Sequence, residues 1–158
     1  MSVNKYKPHL LVLPEDDANR QIAVGFQLGV KNSRSMQVLS VAKGWEKARD
    51  TAKTEYFPYL EKYPDAHMVL LIDFDSDLTR SQTLLEEVPE ELRGRFFVVG
   101  TLTIPEKIKA GSLEDVGKAL IDACAADECP GSIWDHELLK HNVTEGARAK
   151  EAMGEWLL

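Results

Sequence analysis

Four short apolar runs, each followed by a turn and a stretch of helical periodicity, restrict this chain to very few folds. Leu10-Leu11-Val12-Leu13 and Met68-Val69-Leu70-Leu71-Ile72 are unbroken, Met36 to Val41 is interrupted by Gln37 and Ser40, and Arg95-Phe96-Phe97-Val98-Val99 opens on Arg95 and ends at Gly100. Met68 to Ile72 is apolar at every position, so both faces of that strand need cover, as parallel sheets demand. Ala18, Ile22 and Phe26 then recur at helical spacing, with Ala23 beside them and Gly29 as a stop. A longer helix is expected from Gly44 toward Tyr63, kinked or ended at Pro58. Leu78 to Leu92 reads as helical with a break near Pro89. Leu113 to Ala125 follows, with Ser112 as N-cap and Asp115 where a capping-box acid belongs. A last helix is expected over roughly Trp134 to Trp156, breaking near Asn142 or Gly146. Alternating strands and helices predict a three-layer α/β domain with a mainly parallel central sheet and a helical C-terminal part. Its 158 residues suit a single domain, with a core over about 8–125 and a helical extension over about 132–158.

Composition narrows the environment and the partners. No apolar stretch approaches bilayer length, which predicts no membrane association. The amino-terminal residues lack the apolar core of a secretory signal, and two cysteines imply no disulfide framework. A cytoplasmic protein is expected. The net charge of −7 provides no general basic face for a polyanion. If nucleic acid is the substrate, metal or a partner subunit must supply much of the attraction.

Two of the apolar runs end in acids. Glu15-Asp16-Asp17 follows the first, and Asp73-Phe74-Asp75-Ser76-Asp77 follows the third. In open parallel sheets, ligands bind beyond the carboxyl ends of the strands. Carboxylates gathered there repel unless a cation neutralises them or protons are shared. Side chains two apart on a strand share a face, so Asp73 and Asp75 are expected together, with Phe74 turned into packing. Glu15 joins them if the two strands are neighbours. Carboxylate oxygens suit a hard cation such as Mg²⁺ or Mn²⁺.

A Glu after the first strand and an Asp-x-Asp after the third resemble the Toprim domain, shared by topoisomerases, bacterial primases, OLD-type nucleases and small ribonucleases. The resemblance covers roughly the first two thirds of the chain in element order. It implies a Rossmann-like, Toprim-type fold, a catalytic acid/base at Glu15 and magnesium ligands at Glu15, Asp73 and Asp75. Asp77 is an additional or water-mediated ligand on that reading. Asp16 stands where family members usually place Gly, and no Gly-containing turn follows the acid pair. A topoisomerase or primase would need further modules, so the expected activity is a metal-dependent nuclease, working as one subunit of a larger complex or as a homo-oligomer. Arg20, Lys43, Arg80 and Lys107 are candidate phosphate contacts. Glu106 lies beyond the fourth strand and is a further acid near the site.

The rival expectation is a non-catalytic or signalling module: a degenerate Toprim, or a receiver-like phosphoacceptor domain. In a receiver, Asp16 and Asp17 would bind magnesium and Asp73 would accept the phosphoryl group. The stretch between Asp16 and Asp73 is longer than that fold needs, and no Lys-Pro follows a fifth strand. The simplest duties are also expected for single residues. Asp16 and Asp17 suit a helix start, with Arg20 pairing Asp16, and Asp77 suits a turn or cap. Cys124, Cys129, His136 and His141 include zinc-type ligands, but their spacing is far shorter than in a zinc finger.

Overall fold

The structure, a computed structural model, describes residues 3–126 and 132–158. Strand β1 (His9–Pro14) is buried at every position. It is flanked by β2 (Met36–Val38) and β3 (Ala66–Asp73), and β4 (Phe96–Thr101) completes the sheet. The order is β2-β1-β3-β4, and every pairing is parallel. The order in which strands are added therefore reverses between β1 and β3, with β2 on one side and β4 on the other, which makes it the topological switch point where open α/β sheets hold ligands.

Helices cover both faces. They are α1 (Asp17–Gln27), α2 (Trp45–Thr51), α3 (Phe57–Lys62), α4 (Thr79–Glu87), α5 (Leu113–Ala125) and α6 (Val143–Leu157). Met68, Leu70, Ile72, Phe96 and Val98 pack against Ala48, Leu60 and Leu84, which places α2, α3 and α4 on one face. Leu10, Val12, Val69 and Phe97 pack against Ala23, Met153 and Leu157, which places α1 and α6 on the other. Each large side chain buried this way contributes about 1.5–3 kcal/mol before chain entropy is counted. Helix α5 lies on α1 through Ile22, Val116 and Leu120. Two glycines permit that approach. A Cβ on Gly25 would lie 2.0 Å from the Glu114 carbonyl oxygen, and one on Gly117 would lie 1.9 Å from that of Ile22.

Several expected boundaries move. Strand β2 is only three residues long, because after Val38 the chain bends to follow the end of β1. The Leu39 N–H still bonds Val12, and those of Ala42 and Lys43 bond Pro14 and Glu15. Pro58 does not end its helix. The chain passes from α2 through a π-helical segment, Ala52–Tyr56, into α3, and Pro58 falls in the first turn of α3. A missing N–H is harmless in a first turn. The capping box of α5 is present as read, with Ser112 and Asp115 exchanging bonds. The last helix starts at Val143, not Trp134. Short 3₁₀ turns at Ile133–Asp135 and Lys140–Asn142 precede it.

The break at Asn142 has a structural cause. Its carboxamide is buried and donates to the Gly100 carbonyl at 2.8 Å while accepting from the Gly100 N–H at 3.1 Å. Glu145 accepts from the Val98 N–H at 2.9 Å, and Arg148 donates to the Phe96 carbonyl at 2.6 Å. The free edge of β4 is thus closed by side chains from the start of α6, which removes a strand edge open to mispairing.

Candidate functional site

The acids meet at the carboxyl end of the β1–β3 pair. The Glu15 N–H bonds the Leu71 carbonyl at 2.9 Å, continuing the ladder one step past Pro14. Its carboxylate Oε2 accepts the Asp73 backbone N–H at 2.7 Å. Asp73 Oδ1 accepts the Asp75 N–H at 2.8 Å. These bonds chain Glu15, Asp73 and Asp75 together and engage only one oxygen of Glu15 and one of Asp73. Among the described residues, no hydrogen bond engages the second oxygen of either carboxylate.

The strand argument for Asp73 and Asp75 needs correction. β3 ends at Asp73, and the chain then turns through Asp75 at φ 49° and Ser76 at φ 60°. That left-handed pair is unusual for non-glycine residues. Phe74 is buried as expected, at 1% exposure, and its N–H bonds the Thr101 carbonyl. Asp75 is therefore placed by a turn held at both ends: the Ser76 N–H bonds Leu102 and the Asp77 N–H bonds Phe74. Alternation along the strands separates the other two acids. Asp73 continues the parity of Val69 and Leu71, toward α1, whereas Glu15 continues that of Leu13, toward α2 and α4. They flank the strand terminus from its two sides.

Electrostatics set Glu15 apart. Burial raises its carboxyl above the ordinary glutamate range, opposed by the Asp73 N–H and reinforced by the charges of Asp16 and Asp73, with Arg80 pulling down. Arg80 is the candidate cation that does reach the acids. It donates to the Asp73 carbonyl at 3.0 Å, lies 3.9 Å from Asp75 Oδ2, and sits 5.5 Å from the Trp45 ring centroid. Lys43 is adjacent through its backbone: its N–H bonds the Glu15 carbonyl at 2.8 Å, and its φ is 67°. Arg20 is turned away and pairs with exposed Asp17 at 2.7 Å, not with Asp16. Lys107 and Glu106 are exposed in a 3₁₀ turn, Pro105–Lys107, with no bond to the acids.

The remaining acids have local duties. Asp16 caps α1, accepting from the Asn19 N–H at 2.9 Å. Asp17 is held low by the Arg20 and Gln21 side chains. Asp77 is exposed and accepts from the N–H and hydroxyl of Thr79, which hold its carboxyl below the usual range.

Two buried groups escaped the sequence reading. Thr101 is the register partner of Asp73 and is 1% exposed, yet its hydroxyl has no hydrogen-bond partner among the described residues. Asn19, fully buried on α1, has an unpartnered side-chain oxygen. Only strand register could have flagged Thr101, and a one-dimensional pattern does not contain register.

A hard cation implied by the Toprim resemblance fits this donor chemistry: unengaged carboxylate oxygens and an orphaned hydroxyl beside Asp73. Among the described residues, no three His, Cys, Asp or Glu side chains form a ready-made cage. The zinc string is dispersed as far as it is described. Cys124 lines an apolar cavity, His136 accepts the Leu138 N–H, and His141 packs on Phe74. Cys129 lies outside the described residues. No helix is long and apolar enough to cross a membrane among the described residues.

Comparison with protein-family models, with curated proteins and with solved structures returns no match for this chain. Fold and site define a class: an all-parallel, Rossmann-like α/β domain presenting carboxylates at the switch point between its two central strands.

Proposed function

We propose that this chain is a Toprim-type, metal-dependent nuclease acting on a phosphodiester of nucleic acid. The observation carrying this reading is the 2.7 Å bond from the Asp73 N–H to Glu15, which ties two acid-bearing strand ends into one unit. Mg²⁺ or Mn²⁺, held by Asp73 and Asp75 with Glu15 and a water-mediated Asp77, would polarise a phosphoryl oxygen and activate water. Glu15 takes the proton of the attacking water. Its raised carboxyl pKa brings it nearer the working pH of a general base. Arg80 meets the non-bridging oxygens as a planar fork, steadied by Trp45. The acidic net charge fits a subunit that relies on a partner to hold the nucleic acid.

A panel of single- and double-stranded DNA and RNA, incubated with Mn²⁺, tests the reading. Cleavage should vanish in Asp75→Asn and fall in Arg80→Ala through KM. The receiver-like reading predicts the reverse: no cleavage, and phosphorylation at Asp73 by a small phosphodonor that survives Asp75→Asn. It gains nothing from Asp16 and Asp17, which are engaged in starting α1.

A further inference from the structure

Between α4 and the start of α6 lies a cavity of about 420 Å³, within the range of small-molecule pockets. Its walls include Phe74, Leu78, Leu85 and Val98. Phe74 stands between Asp73 and Asp75, so the cavity adjoins the acidic turn. His141 closes one side with its ring edge-on to Phe74, 4.9 Å between centroids. Both ring nitrogens of His141 are buried beside the Gly100 backbone. Burial holds this imidazole below its usual pKa, the Gly100 backbone pulling the other way.

At the mouth, the Gln82 amide donates to the Glu86 carboxylate at 3.3 Å, setting a donor and an acceptor side by side. Arg93 lines the cavity too, but its guanidinium donates to the Val88 and Glu86 carbonyls, and Arg148 holds the Glu145 carboxylate, which leaves Ser81, Gln82, Glu86 and Thr144 as the polar side chains facing a ligand. A flat, uncharged heterocycle meets apolar walls with its faces and a donor–acceptor pair with its edge. Enzymes hold a base taken out of its stack by that combination.

We propose that this cavity is a subsite for one unpaired nucleobase flanking the phosphodiester. The assignment rests on the nucleic-acid reading above and narrows it to substrates that offer a single-stranded or extruded base.

Amide chemical shifts of the metal-free Asp75→Asn protein, titrated with the common nucleosides, test it without any turnover. Saturable shifts at Ser81, Gln82, Glu86 and Thr144 are expected, while inorganic phosphate and ribose 5-phosphate leave them unmoved. Gln82→Trp, at an exposed helix position, should fill the mouth and weaken binding about tenfold or more. Gln82→Ala should weaken it severalfold with the fold intact. No response to millimolar nucleoside, an equal response to ribose 5-phosphate, or unchanged affinity in both variants would overturn the subsite. The two readings fail separately. Cleavage by the wild type without a nucleoside response removes the subsite alone, and a nucleoside response without cleavage keeps the subsite and removes the nuclease.

Discussion

The two ends of the β1–β3 pair are built to opposite rules. At the amino end, polar groups are closed off by partners. His9 is fully buried, yet Nδ1 meets the Lys7 carbonyl at 2.7 Å and Nε2 meets the Tyr59 hydroxyl at 2.9 Å. Arg95 donates to the carbonyls of Leu60, Tyr63 and Ala66, tying the end of α3 to the start of β3. At the carboxyl end the accounting does not close. Burial raises the Glu15 carboxyl, three non-glycine residues (Lys43, Asp75 and Ser76) run at positive φ, and the Thr101 hydroxyl has no partner among the described residues. Buried polar groups are normally satisfied, and lapses concentrate where chemistry needs them. The contrast separates polar residues whose groups are paired off from those whose groups are not.

That contrast is open to direct attack. The largest effect is expected at Asp75→Asn, which should reduce metal-dependent cleavage by roughly a thousandfold or more while leaving the melting temperature almost unchanged. Single-turnover rates and a thermal melt read the two arms. Arg95→Ala should do the opposite. It removes three hydrogen bonds, leaving the Tyr63 carbonyl with the Ala66 N–H, and costs about 2–3 kcal/mol in denaturant titration, with cleavage per folded molecule retained.

A subtler effect follows from Glu15. Because its folded pKa is raised, the folded state binds the proton more tightly than the unfolded chain does. That stability is fully present below the ordinary glutamate pKa and is lost as pH rises through the raised value. Glu15→Gln should therefore stabilise the metal-free protein at neutral pH, by under about 1 kcal/mol, and do nothing in acid. Added Mn²⁺ should raise the melting temperature of wild type more than that of Glu15→Gln. Melts across a pH series, with and without metal, measure both. The smallest effect belongs to Lys107→Ala, expected to change stability and cleavage rate by less than about 0.5 kcal/mol.

Much of this architecture could be read in the sequence, because the dominant signal is local. Apolar runs such as Met68 to Ile72 and the Ser112–Asp115 box mark β3 and α5 without any tertiary information. That Glu15 and Asp73 stand at strand ends could be read for the same reason: the burial of β1 and β3 is written in their own residues. What escaped depends on contacts between distant segments. The true start of α6 is fixed by Asn142 reaching the β4 edge, and α5 sits where it does because Gly25 and Gly117 let backbones touch. Thr101 emerges only once β3 and β4 are in register. Arg20 and Arg80 look alike in sequence, yet one pairs with exposed Asp17 and the other reaches the acids.

The most direct measurement is the anomalous signal of a crystal soaked in Mn²⁺. The predicted result is a peak bound by Asp73 and Asp75 within reach of Glu15, on the oxygens that the protein leaves unengaged. A peak held by Asp16 or Asp17 with Asp73, or no peak at millimolar metal, would contradict it.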